Sequence, residues 1–83
     1  MALKDMRERA RMTLKMLSEI TGINLNYLAM YESGNRDING AKFVTLLTIC
    51  DALECRLEDI LTDKETLSML EVYKSKMDEE GEI

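Results

Sequence analysis

At 83 residues the chain has room for one small domain, because a core of this size buries only about 60–65% of the surface that the unfolded chain exposes. Hydrophobic residues at 46%, charged residues at 33% and no Pro fit a helix-rich globule whose four Gly mark most of the sharp joints. A net charge of −5 argues against a polyanionic partner only as a sum: residues 1–42 hold seven Lys and Arg against five Asp and Glu, residues 43–83 four against eleven.

Leu3, Met6 and Ala10 recur at helical spacing and predict an amphipathic helix from Ala2 to about Arg11. Thr13 has the chemistry of an N-cap. The helix it opens carries Leu17, with Met16 and Ile20 beside it, as an apolar stripe and stops at Gly22, a residue free to turn left-handed. Only Ile23 separates Gly22 from the next cap, Asn24. So short a joint forces a third helix, Leu25 to about Ser33, to cross the second steeply, which is helix-turn-helix geometry.

Gly34 ends the third helix, and NRDING (residues 35–40) reads as a polar loop with a new cap at Asn39. Phe43, Leu46, Ile49, Cys50 and Leu53 share one face of a fourth helix, and Leu57, Ile60 and Leu61 continue the core in a short fifth. Thr62 followed by Glu65 matches a capping box. It announces a sixth helix with Leu67, Leu70, Tyr73 and Met77 on a face about 120° wide. The expected organisation is an all-α, five-helix domain over 1–62, a C-terminal helix over 63–77 and an acidic tail over 78–83.

Charged side chains begin at Lys4, which leaves no apolar leader, and the longest uncharged run, Ile20–Tyr31, is too short to span a bilayer. A cytoplasmic protein without membrane contact is expected. Cys50 and Cys55 sit in apolar surroundings without metal-ligand spacing and read as core thiols. With no His, no activated nucleophile and no phosphate-cradling Gly loop, we expect no enzyme activity, no metal and no cofactor.

The run LKDMRERARMTLKMLSEITGINLNYLAMYESGNR, continued by LLTICDALECRLEDIL, resembles the phage-repressor-like helix-turn-helix family of Cro and lambda-type repressors, the XRE family. The resemblance covers residues 3–61 and rests on the joint order of Thr13, Leu17, Gly22-Ile23-Asn24, Leu28, Tyr31-Glu32 and Gly34. It implies a lambda-repressor-like domain that binds double-stranded DNA as a homodimer on a palindromic site and regulates transcription as a repressor. Asn24 then caps the recognition helix, and Leu14, Leu25, Asn26, Ala29 and Met30 fall at base-contact positions. Thr13, Lys15, Asn24, Tyr27, Arg36 and Lys42 fall at phosphate contacts, and Arg7 and Glu32 match a pair that often forms an internal salt bridge. The chain departs from the family pattern in three places. Leu14 stands for a frequent Gln, Arg11 for a frequent turn Gly, and the loop from Gly34 to Leu46 is about three residues longer.

The helical wheel agrees that Asn26, Ala29 and Met30 point away from the face fixed by Leu28 and Tyr31. Asn26 is the one polar side chain there that can read a base, since a carboxamide pairs with adenine N6 and N7. Met16 is expected in the core, leaving Leu25 and Met30 exposed; an exposed Met16 would instead extend an apolar patch suited to a protein partner. The face of Leu67, Leu70, Tyr73 and Met77 has three uses: dimerisation, packing on its own domain, or docking a basic toxin. The last follows from the resemblance, because small repressor-like proteins of this kind often act as antitoxins that repress their own operon.

Overall fold

The computed structural model describes residues 2–81, and every regular element among them is helical. In chain order these are α1 (Leu3–Arg9), α2 (Leu14–Thr21), α3 (Leu25–Ser33), a 3₁₀ turn (Ile38–Gly40), α4 (Phe43–Leu53), α5 (Leu57–Ile60) and α6 (Lys64–Gly81). The all-α expectation holds, and α3 has the expected bounds.

The core consists of Leu3, Leu17, Leu28, Ile38, Leu46, Ile49, Cys50, Leu53, Ile60 and Leu61, one or more from every element but α6. No polar or charged side chain is buried among the described residues. Burial of such side chains at about 1.5–3 kcal/mol apiece is what holds short helices that would melt in isolation. Cys50 is buried and Cys55 half-buried, both free. Burial pushes the Cys50 thiol up to about 12 and raises that of Cys55, so both stay protonated and behave as small apolar groups.

Two helix ends turn without glycine. Arg11 (φ 58°) and Glu54 (φ 51°) are left-handed and close paired turns, Met12 N–H to the Arg7 carbonyl and Cys55 N–H to the Cys50 carbonyl, at 3.1 and 3.0 Å. The hydrogen bonds offset the roughly 1 kcal/mol that a side chain pays in this conformation.

Several sequence expectations are corrected. Met16 and Ile20 are 45% and 58% exposed, because they lie about 60–100° round α2 from Leu17, the residue that faces the core. Phe43 is 62% exposed for the same reason: it sits about 70° from the mean direction of Leu46, Ile49, Cys50 and Leu53. The loop after Gly34 is less polar than it reads, since Ile38 is buried. Asp37, not Asn39, caps the turn there, its Oδ1 accepting from the Asn39 N–H at 3.0 Å.

Asn39 instead clamps the start of the C-terminal segment. Its Oδ1 accepts from the N–H groups of Thr62 and Asp63 at 2.9 and 3.0 Å, and its Nδ2 donates to the Thr62 hydroxyl at 2.8 Å. The Thr62–Glu65 capping box is therefore absent. Asp63 takes the role, accepting from the Thr66 N–H and hydroxyl at 2.9 and 2.6 Å. The helix it opens runs to Gly81, past the expected end at 77, so the first part of the acidic tail is helical; residues 82–83 lie outside the described residues. Leu67 and Leu70 turn to the core, whereas Tyr73 and Met77 remain exposed.

Arg7 ties α1 to the end of α3. Its guanidinium donates to both Glu32 carboxylate oxygens, at 2.6 and 3.0 Å, and to the Met12 carbonyl at 2.8 Å, and the bond to Glu32 raises its pKa. Both side chains are almost fully shielded, at 13% and 8% exposure. Removing one partner strands the other charge, so Arg7→Ala should cost about 3 kcal/mol in urea unfolding, and Arg7→Met with Glu32→Leu should cost less than Arg7→Ala alone.

Acid should loosen α6 first. Lys74 bonds Glu58 at 2.6 Å and holds its carboxyl below the ordinary 4.5, and the Thr66 bonds hold Asp63 below 3.8. Depressed folded values mean that the unfolded chain binds more protons, so these contributions are complete above about pH 5 and fade as pH falls through those values. Amide exchange measured from pH 6 to 3 should show α6 protection falling before that of α2 and α4.

Candidate nucleic-acid interface

The joint between α2 and α3 is built from its own residues. Thr13 caps α2 by accepting from the Met16 N–H at 3.1 Å, and Asn24 caps α3 by accepting from the Asn26 N–H at 2.8 Å. Gly22 stands between them at φ 74°, ψ 6°, a conformation that favours glycine. Two hydroxyls, unremarked in the sequence reading, close the turn. Ser18 Oγ donates to the Ile23 carbonyl at 2.6 Å, while Thr21 Oγ1 donates to the Leu17 carbonyl at 2.7 Å and accepts from the Ile23 N–H at 3.2 Å. With Leu17 and Leu28 wholly buried, the two helices are fixed to one another from both ends of the joint.

Leu25, Asn26, Tyr27 and Met30 of α3 are exposed, and Ala29 is half-buried. The Asn26 carboxamide makes no hydrogen bond, so both its donor and its acceptor are uncommitted. Leu14 is half-buried and packs against the core rather than standing clear of α2; Thr13, Lys15 and Asn24 are exposed. The outward side of α3 is thus one carboxamide set among apolar side chains.

Beside it lies a second group. The Arg36 guanidinium stacks over the Tyr27 ring, 4.5 Å from its centroid, joining the loop after α3 to the first turn of α3 itself. A hollow of about 400 Å³ opens there, lined in part by Tyr27, Tyr31, Arg36, Lys42 and Thr45. Lys42 occupies the N-cap position of α4 without a side-chain cap, which leaves first-turn N–H groups of that helix open. Tyr27 and Arg36 were named separately from the sequence; their stacking crosses nine residues and a left-handed Gly34, and no spacing rule announces it.

Cations with open donors, free helix N-termini and one uncommitted carboxamide on a protruding helix form a surface suited to a phosphate backbone and a groove. A family model of the Cro/C1-type helix-turn-helix DNA-binding domain matches residues 2–65. The chain belongs to that family. Neither curated proteins nor solved structures give a match. The Cro/C1-type domain is a DNA-binding module of transcription regulators, and here it takes in α1 to α5 and the first residues of α6. No helix among the described residues is long and apolar enough to cross a membrane.

Proposed function

We propose that this protein is a repressor that binds a palindromic operator as a dimer and reads it with α3. The uncommitted, exposed carboxamide of Asn26 near the start of α3 carries the reading: it is the one outward group there that can pair with a base edge, and adenine is its natural partner. Leu25, Ala29 and Met30, with Leu14 at the edge, touch thymine methyls, so base readout is sparse and leans to A·T. Thr13, Lys15, Asn24, Tyr27, Arg36 and Lys42 hold the phosphates, Arg36 pre-oriented by its stacking on Tyr27.

With so few cations per copy, affinity depends on doubling the contacts. Residues up to 62 bind DNA, and α6 joins two copies through the part of its apolar face that its own core leaves uncovered, Tyr73 and Met77. A second reading, in which the domain binds a protein such as a toxin, draws support from the exposed Leu25 and Met30 on α3. Salt separates the two: phosphate contacts weaken steeply with rising salt, and an apolar interface does not.

Selection of bound fragments from random and upstream DNA at two salt concentrations tests the reading and yields the operator. On that site Asn26→Ala should cost about 1–3 kcal/mol and relax one base position. An equal loss on random DNA would contradict base readout by Asn26. Arg36→Ala should weaken binding to every sequence and reduce the slope of affinity against salt by about 1 in log–log terms, so an unchanged slope would remove Arg36 from the phosphate set.

A further inference from the structure

Apart from the outward side of α3, two apolar surfaces among the described residues have no partner within the chain. The first lies on α2 and α4, which pack against each other. On α2, Ser18 marks the side toward α3, through its bond to the Ile23 carbonyl, and Met16 and Ile20 lie about 160° round the helix from it. On α4, Thr45 shares the hollow beside α3 with Tyr27 and Tyr31, and Phe43 and Leu47 again lie about 160° away. All four are 45–62% exposed. They line the flank of the helix pair that faces away from the reading helix.

The second surface is a stripe on α6 that adjoins its core-facing side, Met77 and Tyr73 lying about 20° and 60° round the helix from Leu70. Leu67 and Leu70 pack on the core and Lys74 bonds Glu58, yet every side chain from Glu71 to Asp78 is exposed. Met69, Tyr73 and Met77, four residues apart, form a stripe along this stretch. The molecule measures 44 Å in its long direction against 22 and 20 Å in the others. A helix so exposed gains little from its own domain and is marginal without a surface to cover.

We propose that the α2–α4 flank (Met16, Ile20, Phe43, Leu47) is the seat for α6 of a second copy, so that the dimer forms by reciprocal exchange of C-terminal helices. The proposal rests on the dimer put forward above and says where its contact lies. Both surfaces occur once per chain, so a two-fold dimer satisfies each of them. The seven side chains, at on the order of 100 Å² each, supply about 700–800 Å² per copy, close to the roughly 800 Å² per partner of a standard interface. Charge selects the same arrangement. Residues 64–81 hold three Lys against five acidic residues, whereas the flank segments, 14–21 and 42–53, hold Lys15 and Lys42 against Glu19 and Asp51. Pairing α6 with α6 would oppose like charges; seating it on the neutral flank does not. The α3 face stays open on both copies.

Light scattering of the full chain tests this with Leu47→Glu, a flank variant, and Tyr73→Lys, a stripe variant, both at exposed positions. Each alone should raise the dimer dissociation constant at least tenfold with unchanged far-UV circular dichroism, and Ile20→Glu should repeat the flank result. Mixing Leu47→Glu with Tyr73→Lys should restore dimers, because one seat is then native and the other joins Glu to Lys. A Leu47→Glu chain that dimerises as the native one does, as α6-to-α6 pairing requires, would overturn the exchange, as would a mixture that stays monomeric. A native chain that is itself monomeric would remove the dimer altogether while leaving the Asn26 and Arg36 assays to judge DNA reading.

Discussion

The bidentate bond between Arg7 and Glu32 is the constraint through which α3 is held to the rest of the domain. It comes at the end of α3, opposite the cap at Asn24, and it also satisfies the Met12 carbonyl at the turn that leads into α2. One guanidinium therefore joins α1, the turn before the helix-turn-helix unit, and the last turn of its second helix. The pair is nearly shielded from water, so its worth lies less in net stability than in fixing how these segments meet. With both ends of α3 fixed in this way, the exposed side chains between them keep a defined position without contributing to the core.

What α3 presents from that position is mostly apolar surface. The cations lie around it, on α2, the loop after Gly34 and the start of α4. The division follows the physics of the two tasks: charge gives affinity with little sequence information, while methyl contacts and a single carboxamide give information with little affinity. The stacking of Arg36 on Tyr27 restricts the arginine in advance, which would lessen the freedom lost in the proposed phosphate contact.

The same economy explains the exposed apolar residues away from α3. A core of ten buried residues in a chain of this size leaves little surplus stability, and α6 adds only Leu67 and Leu70 to it. In the dimer proposed above, association of copies would cover the flank of α2 and α4 and the stripe on α6 at once. In such an arrangement folding, dimer formation and operator binding draw on one another, since a second reading face comes only with the second copy.

The order of the helices, the caps at Thr13 and Asn24, the left-handed Gly22 and Gly34, and the Leu17 and Leu28 anchors were all legible, because each is a local rule acting over a few residues. Asn26 as the outward polar group was legible for the same reason. Met16, Ile20 and Phe43 were not, since hydrophobicity says that a side chain gains from burial but not whether a neighbouring helix arrives to cover it. Asn39 misled because its cap-like chemistry serves a partner 23 residues away at Thr62 rather than its own turn. By itself, then, the sequence determined the elements, the caps of α2 and α3 and the family, through short-range chemistry. Only the tertiary structure decided which apolar faces stay open, where Arg36 rests and how α6 is tied down, because those depend on which surfaces the packed helices have already used.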